Sequence, residues 1–475
     1  MITNERESHE FLRTTAVSRA TARAMTWTFV AMLVAVTSID LTRNAGLWRS
    51  FLTSGRSLLA REFLHEFERA LQDHSPAKAA VQPRVQTLLL RAFAYGNHRV
   101  LAGKDDWLFY MPGVEWLVNQ EKPAARNAII AFGRECRARG VRLIVVPAPE
   151  KAALEWRHLR FAHAIDQRLD YDDLRAAGIE VVDGRSLDRH FLAHDTHWTP
   201  QSMDTFARAL ANAIGLRGDT TYTTRRMQVS SEGDLVTMLG VHLPAERTEI
   251  EQVVDWKPDR SSPILLLGDS FTNVYSDGVA PRGLGWGERA GLAEHLSLAL
   301  GMPLDVIARN GSGANETRAE LARRDDPFGG KRVIVYEFAA RDLSAEDWRV
   351  IPFHPPRVPH LAESSNAVRI EGTIVKTSTM PQPFHSPYAD CVAFYEIHVD
   401  RVLAGRYDDP AMLVAIRVMT GNVLLPPAAF RAGQHVRLDA IPFREASAEI
   451  ASIQQSDDTG DYAHKPYFAL RADPQ

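Results

Sequence analysis

The chain has 475 residues, of which 45% are hydrophobic and 24% are charged, values that fit a folded protein of two or three domains and exclude a disordered one. The net charge of −4 gives no electrostatic argument for binding nucleic acid. The two cysteines, Cys136 and Cys391, are too few and too far apart for a disulfide framework or a cysteine-rich metal site.

An apolar segment near the N-terminus predicts a membrane anchor. Residues Met25–Ile39 carry no charge, and arginines stand on both sides of them, at Arg19, Arg23 and Arg43. A full span needs roughly 20 residues, and counting from Ala22 with a snorkelling Arg23 brings the segment to about 18. We predict an uncleaved signal anchor in residues 1–45, which places the rest of the chain in the periplasm, at the inner membrane. The alternative is a buried core helix.

Residues 46–350 are predicted to form one α/β domain with a doubly wound, mostly parallel sheet. Helical spacing of apolar residues begins the domain, and helices then alternate with short aliphatic strands. A helix is expected to begin at Thr199-Pro200, a cap followed by a proline at the first helical position. The predicted strands are residues 141–147, 179–184, 264–267, 303–308 and 331–338.

The C-terminal part of the chain changes character. Residues 351–365 are rich in proline and predict a semi-rigid linker. From residue 366 to residue 475 the apolar residues alternate as in strands, and turn residues separate the runs. We predict a small all-β domain there, either a barrel or a sandwich.

The strand at 264–267 runs into Gly268-Asp269-Ser270, which predicts a nucleophile. Open α/β sheets place their chemistry at the carboxyl ends of the strands, and the N-terminus of a following helix favours negative charge. A serine hydroxyl needs a base, and Asp195-Thr196-His197 offers a histidine with an aspartate to orient it. The alternatives are a serine that only caps a helix, a structural loop, or a metal site formed by His194, Asp195 and His197.

Further residues are predicted to surround this serine. Donors to an oxyanion are expected from the Ser270 N–H and from the turn Asn310-Gly311-Ser312, and Gly268 belongs to the same candidate group. Arg341 is expected to bind substrate or else to pair with Glu337 or Asp342. Tyr275 is expected to line the pocket or else to pack in the core. The aromatic segment 104–110 is interpreted as core or as a surface on which a sugar stacks.

Five motifs in this order resemble the alginate O-acetyltransferase family of AlgX and AlgJ type, which are periplasmic proteins with an SGNH-hydrolase-like fold. They are Gly-Lys-Asp-Asp-Trp-Leu-Phe-Tyr at 103–110, Val-Pro-Ala-Pro-Glu-Lys at 146–151, Asp-Thr-His-Trp at 195–198, Gly-Asp-Ser-Phe at 268–271 and Tyr-Glu-Phe-Ala-Ala-Arg-Asp-Leu at 336–343. The Asp-x-His element precedes the serine, as in the alginate-type branch of that fold.

The resemblance implies a triad of Ser270, His197 and Asp195 that transfers acetyl groups to the hydroxyls of an exported polysaccharide. It also implies a membrane-bound O-acyltransferase that delivers the acetyl group. We predict neither a cofactor nor a metal. Two other functions are kept open from the residues themselves. One is an esterase that uses the same triad, and the other is a non-catalytic polysaccharide-binding subunit of a secretion complex.

Overall fold

The structure is a computed structural model, and it describes residues 18–43, 76–118, 122–160, 171–184, 190–276, 278, 284–311, 314–344, 347–353, 367–381, 383, 388–447, 450 and 453–474. The chain divides into two compact units, Met1–Val85 and Gln86–Gln475. The helical pattern predicted around residues 58–71 and most of the predicted proline-rich linker lie outside the described residues.

Helix α1 spans Arg19–Arg43 and contains the predicted anchor segment. Its residues Ala20–Asp40 have a mean hydropathy of 1.5, and none of the apolar window is buried within the protein. Large apolar side chains such as Trp27 and Phe29 are exposed. Length and composition are those of a signal sequence or a membrane anchor, and the lack of burial along the apolar window disfavours the alternative of a buried core helix.

A five-stranded parallel sheet is the centre of the second unit. Its strand order is β4-β3-β9-β7-β8, and every pairing is parallel. The strands are β3 (Arg142–Ala148), β4 (Glu180–Val181), β7 (Ile264–Gly268), β8 (Asp305–Ala308) and β9 (Val333–Ala339). The predicted α/β class with a parallel sheet is confirmed.

Apolar residues on both faces of this sheet bury it between two helical layers. In β7, Ile264 and Leu266 face one core and Leu265 and Leu267 face the other, so the strand is a continuous aliphatic run. Helices α7 (Pro200–Ile214) and α10 (Leu292–Leu300) cover the first face, whereas α4 (Pro123–Ala138), α6 (Asp172–Ala176) and α11 (Glu316–Ala322) cover the second.

Smaller elements complete this α/β region. The helices are α2 (Pro76–Phe93), α3 (Met111–Trp116), α5 (Lys151–Leu154), α8 (Asp234–Leu239) and α9 (Ser270–Asn273), and strands β1 (Val100–Ala102) and β2 (Leu108–Tyr110) form an antiparallel pair. Short 3₁₀ helices lie at Trp156–His158 and Ala340–Ser344. Proline at the first position and the Thr199 side chain, which accepts from Ser202 N, begin α7 as predicted.

The polar stretch 217–262 contains regular structure for which the sequence analysis predicted none. Strands β5 (Thr224–Ser231) and β6 (Glu246–Val253) form an antiparallel pair, and helix α8 lies in the connection between them. Most side chains of β5 are exposed and polar. Because little of this strand is buried, it lacks the apolar alternation that marks a strand in a sequence.

The C-terminal domain is a closed barrel, which decides between the two architectures predicted for it. Its strands are β10 (Val368–Thr377), β11 (Cys391–Ala404), β12 (Ala411–Thr420), β13 (Val423–Leu424), β14 (His435–Pro442), β15 (Gln454–Ser456) and β16 (Tyr467–Pro474). The order β12-β16-β14-β10-β11 closes through a β11–β12 pairing. Within this ring only β12 and β16 run parallel, which is the arrangement of a five-stranded OB-type Greek-key barrel.

Candidate functional site

The proposed nucleophile lies where the sequence analysis placed it, at the carboxyl end of the sheet. Strand β7 is buried along its whole length and ends at Gly268, and Ser270 is the first residue of α9. The Asp269 side chain caps that helix by accepting a hydrogen bond of 2.7 Å from Phe271 N. Ser270 itself is only 5% exposed.

Gly268 is required by close packing next to the serine. A Cβ atom at this position would lie 2.1 Å from Thr272 Oγ1 and 3.1 Å from Glu337 Oε2. The glycine therefore lets strand β7 and the first turn of α9 approach the neighbouring strand β9. The close packing against Thr272 and Glu337 is a structural reason for a glycine at this position.

A buried carboxyl group, which the sequence analysis did not assign to the site, supports the serine turn from β9. Glu337 Oε2 accepts hydrogen bonds from Asp269 N at 2.9 Å and from Thr272 Oγ1 at 2.8 Å. Asp269 Oδ2 in turn accepts from Ala339 N at 2.9 Å. Burial, with the nearby Asp269 charge, raises the pKa of Glu337 well above its usual range.

Asp195 and His197 form a buried pair in the loop before α7. Asp195 Oδ1 accepts from His197 Nδ1 at 2.6 Å and from His197 N at 3.0 Å. A carboxylate only accepts hydrogen bonds, so we assign the proton to Nδ1. That assignment leaves the lone pair of His197 Nε2 available to a proton donor, as a general base requires.

Two more donors hold the other oxygen of Asp195. Trp286 Nε1 donates to Asp195 Oδ2 at 2.8 Å, and Asp234 N donates to the same oxygen at 3.0 Å. Burial opposes the charge on Asp195, but the imidazole of His197 and these donors outweigh it and lower the Asp195 pKa below its usual range. Burial likewise opposes the charge on His197, but Asp195 outweighs it and raises the His197 pKa.

Asp234 is a second acidic residue beside the histidine. Its Oδ2 lies 3.9 Å from His197 Nδ1, and its side chain accepts from Thr196 N at 2.8 Å and from Thr196 Oγ1. Burial and the Asp195 charge raise the pKa of Asp234 to about 6. Within the described ranges, the acidic and histidine side chains that come together closely enough to hold a metal ion are Asp195, His197 and Asp234, so the set differs from the predicted one that included His194.

Lys151 forms hydrogen bonds with the backbone of the loop that carries Asp195 and His197. Its Nζ donates to the carbonyl oxygens of Ala193 at 2.8 Å and of Asp195 at 2.9 Å. Nζ also lies 5.1 Å from the Trp107 ring and 5.3 Å from the Phe109 ring. Burial, partly offset by the charge of Asp195, lowers the pKa of Lys151 to about 7. Trp107 and Phe109 of the aromatic segment 104–110 thus pack against Lys151, as residues of the core do.

The serine segment and the histidine contact each other through Phe271. The His197 and Phe271 rings meet edge to face with centroids 4.9 Å apart, and Phe271 also packs on Trp198 at 5.1 Å. Ser270 and the Asp195–His197 pair therefore lie on neighbouring segments of one buried region. The direct pairing of Ser270 Oγ with His197 Nε2 stays a prediction.

Tyr275 lies in the core and not on an open pocket wall. It is fully buried, and its hydroxyl donates to the Trp198 carbonyl at 2.6 Å. The side chain belongs to the same cluster as Trp198 and Phe271. Tyr275 therefore fixes the segment that follows His197, because its hydrogen bond anchors the next residue of the chain.

Arg341 pairs with a residue other than the predicted partners Glu337 and Asp342. Its Nη1 lies 3.1 Å from Glu150 Oε1, and its guanidinium lies 5.3 Å from the Tyr110 ring centroid. Glu337 Oε2 accepts instead from Asp269 N and Thr272 Oγ1. Substrate binding by Arg341 stays a prediction.

The turn after β8 is partly described. Asn310 is buried, and its Oδ1 accepts from Asn273 Nδ2 at 2.9 Å, which joins this turn to the end of α9. Gly311 has φ of +70°, a left-handed conformation that favours glycine. Ser312, a predicted donor, lies outside the described residues.

Comparisons with known proteins agree on one family. The model of the family described as "SGNH hydrolase-like domain, acetyltransferase AlgX" matches residues 100–340, just over half of the chain. A protein named probable alginate O-acetylase AlgJ from Pseudomonas aeruginosa is 26% identical in an alignment 320 residues long that covers 60% of this chain and 81% of that protein. A second protein of that name, from Pseudomonas fluorescens, is 23% identical in an alignment 333 residues long that covers 63% of this chain and 83% of that protein.

Solved structures include similar chains. The O-acetyltransferase domain of Pseudomonas putida AlgJ has a TM-score of 0.40 and 22% identity, over 52% of this chain and 92% of that one. Pseudomonas aeruginosa AlgX has a TM-score of 0.44 and 14% identity, over 79% of this chain and 90% of that one. The fold assignment rests on the strand order described above, and the family assignment on the family model. The chain belongs to the AlgX family of SGNH hydrolase-like acetyltransferases.

Proposed function

We propose that the protein is an O-acetyltransferase that carries the acetyl group on Ser270 and passes it to a hydroxyl of an exported polysaccharide. The observation that carries the proposal is the buried pair of Asp195 and His197, whose carboxylate accepts four N–H donors. That arrangement leaves Nε2 as a base beside the helix that begins with Ser270. Membership of an acetyltransferase family supports acetyl as the group that is transferred.

The first half of the reaction forms an ester on the serine. Ser270 Oγ attacks the acetyl carbonyl of the donor as His197 Nε2 takes the hydroxyl proton. The tetrahedral intermediate collapses when the bond to the donor oxygen breaks, and His197 returns the proton to that leaving oxygen. Asp195 stabilises the imidazolium that exists between the two proton transfers, since its charge already raises the His197 pKa.

The second half reverses these roles. A saccharide hydroxyl gives its proton to His197 and attacks the acetyl-serine carbonyl, and Oγ leaves with the proton restored. Donors to the oxyanion are proposed to come from the Ser270 N–H and from the turn at Asn310 and Gly311. Because Ser270 is nearly buried, water has limited access to the acetyl-serine, which favours transfer over hydrolysis.

The acceptor and the location are proposed from the relatives and from helix α1. The relatives are named as probable alginate O-acetylases, which supports an alginate-like exopolysaccharide as acceptor. Arg341, between Glu150 and Tyr110, is proposed to contact it. We place the protein in the periplasm, anchored to the inner membrane by α1, with a membrane-bound O-acyltransferase as the source of acetyl groups.

The test uses the full chain in detergent with p-nitrophenyl acetate as donor and uronate or glucan oligosaccharides as acceptors. We expect acetylated oligosaccharide from the wild type and none from Ser270→Ala. The control is Ser261→Ala, which removes an exposed hydroxyl at the opposite end of β7 and should be fully active. Acetate release that no sugar alters would favour an esterase, and absence of any turnover by folded protein would favour a binding subunit.

A further inference from the structure

The C-terminal barrel reaches the serine turn of the α/β domain. The ring of Tyr388, in the loop between β10 and β11, lies against Gly311. A Cβ atom built on that glycine would be 2.6 Å from Tyr388 Cε2, which shows how closely the ring approaches. The same Cβ atom would lie 3.6 Å from Gln454 Nε2, at the start of β15. The loop before β11 and the first residue of β15 thus contact the turn that follows β8.

The Ser270 side chain is among the groups that act on the Tyr388 hydroxyl, as a side-chain hydrogen-bond partner. Together with the contact on Gly311, this puts the phenol close to the serine that the proposed reaction acylates. Burial raises the pKa of Tyr388 far above its usual range, with further contributions from Asp269 and Asp234. A phenol that carries its proton can donate a hydrogen bond to a neighbouring oxygen.

Charged contacts hold the barrel loops against the α/β domain. Arg323, at the end of α11, forms a buried ion pair with Asp457 and donates to the Asp461 carbonyl at 2.9 Å. Arg349 Nη2 donates to the Asp457 carbonyl at 2.9 Å. Lys465 Nζ lies 2.9 Å from Asp325. Both side chains of the Arg323–Asp457 pair are buried. Breaking a buried pair leaves an unpaired buried charge, so this pair holds the barrel against the α/β domain more firmly than an exposed pair would.

We propose that Tyr388 is a further catalytic residue, supplied by the barrel, whose hydroxyl donates a hydrogen bond to Ser270 Oγ during acetyl transfer. This inference rests on the proposed function of Ser270. It gives the C-terminal domain a direct part in the reaction, in addition to any part in binding. Neither the family motifs nor the predicted site residues include position 388.

The hydrogen bond acts in both halves of the reaction without moving a proton of its own. In the resting enzyme the phenol donates to Oγ, so the serine proton is directed away from Tyr388 and is available to His197. In the second half, the saccharide oxygen bonds to the acetyl carbon of acetyl-serine, and the tetrahedral intermediate then collapses: the bond between Oγ and the acetyl carbon breaks and negative charge develops on Oγ. The phenol stabilises that charge until His197 delivers the proton, as donors to developing oxyanions do.

The experiment compares Tyr388→Phe with Tyr407→Phe in the full chain. Phenylalanine keeps the ring on Gly311 and removes only the hydroxyl. Tyr407 is the matched control, since its hydroxyl donates to Ala411 O at 2.6 Å within the barrel and is remote from Ser270. Rapid-quench mass spectrometry measures acetylation of Ser270 by p-nitrophenyl acetate and its loss to an oligosaccharide.

We expect Tyr388→Phe to slow both steps about 10- to 100-fold, at or below the lower end of what removal of an oxyanion donor costs, with the control unchanged. Equal rates in Tyr388→Phe and the wild type would overturn the role of Tyr388 while leaving the proposed function intact. Failure of the wild type to acetylate Ser270 would instead overturn the proposed function, and the role of Tyr388 with it.

A stability measurement separates loss of the hydrogen bond from loss of folding. Urea unfolding of the wild type, Ser270→Ala, Tyr388→Phe and the double variant forms a double-mutant cycle that does not depend on activity. We expect non-additivity of about fivefold in the unfolding equilibrium constant, which corresponds to one net hydrogen bond. Additive effects would show that the two hydroxyls do not interact and would overturn the proposal.

Discussion

Replacing Asp195 by asparagine tests the orientation of the histidine, because all four hydrogen bonds to this carboxylate come from N–H donors. Oδ1 accepts two of them from His197, and Oδ2 accepts one each from Asp234 N and Trp286 Nε1. An asparagine keeps only one oxygen acceptor. Its NH₂ group must therefore face one of these two pairs of donors.

The two orientations of the amide have different costs. If the NH₂ group faces Trp286 and Asp234, two buried N–H donors lose their acceptor, at about 1–3 kcal/mol each. If it faces His197, the imidazole can accept at Nδ1 and only the His197 N–H is left without a partner. The second orientation is favoured, at a loss of about 1–3 kcal/mol of unfolding free energy. It moves the ring proton to Nε2, which then cannot accept the Ser270 proton.

We therefore expect Asp195→Asn to fold and to lose about 10⁴-fold in kcat, the effect of changing the orienting carboxylate of a triad into an amide. The matched control is Asp234→Asn. Its amide oxygen can still accept from Thr196 N, and the Thr196 hydroxyl can rotate to accept from the NH₂ group, so activity should stay within about tenfold.

The assay is single-turnover acetylation with p-nitrophenyl acetate, and urea unfolding reports stability. The reasoning would be refuted if Asp195→Asn kept activity within tenfold of the wild type. It would also be refuted if Asp234→Asn lost as much activity as Asp195→Asn, because Asp234 would then be the orienting carboxylate.

Three more predictions concern pH and packing. The acid limb of kcat/KM should rise with pH with its midpoint above 6.5, since His197 must lose its proton and Asp195 raises its pKa; a pH–rate profile with a midpoint at or below 6.5 would contradict this. Between about pH 7 and 10.5 the unfolded chain binds a proton at Lys151 that the folded protein lacks, so this group makes the free energy of unfolding rise with pH. In Lys151→Met the rise of the urea-unfolding free energy across that window should be smaller than in the wild type by a few kcal/mol. An equal rise in the variant and the wild type would refute this prediction. Gly268→Ala should lower both activity and melting temperature, because its Cβ atom would meet Thr272 Oγ1 at 2.1 Å; full activity at an unchanged melting temperature would exclude this packing role.

The parts of the fold that the sequence predicted are those with a local signal. Aliphatic runs such as Ile264–Leu267 identify strands buried on both faces, and the Thr199-Pro200 cap identifies the start of α7. The antiparallel pair of β5 and β6 carries exposed polar side chains and gives no such signal. Barrel closure depends on the pairing of β11 with β12 and of β12 with β16, which the alternation within each strand does not specify.

The site divides in the same way. Asp195 and His197 are two residues apart, so their contact is local and the motif revealed it. Trp286, 91 positions away, and Lys151, 44 positions away, reach this loop only through the tertiary fold. Tyr388 comes from another domain. Lys151 belongs to the Val-Pro-Ala-Pro-Glu-Lys motif at 146–151, but the motif does not show that this side chain is buried or which loop it contacts.

The central claim is that acetyl passes through Ser270, and isolating the intermediate tests it most directly. The full chain is mixed with p-nitrophenyl acetate, quenched after a short interval and mapped by peptide mass spectrometry, and a second sample is chased with oligosaccharide before the quench. The account predicts one acetyl group on the peptide that carries Ser270, and its transfer to the sugar during the chase. Acetylated sugar formed by Ser270→Ala, or acetyl found only on other residues, would contradict it.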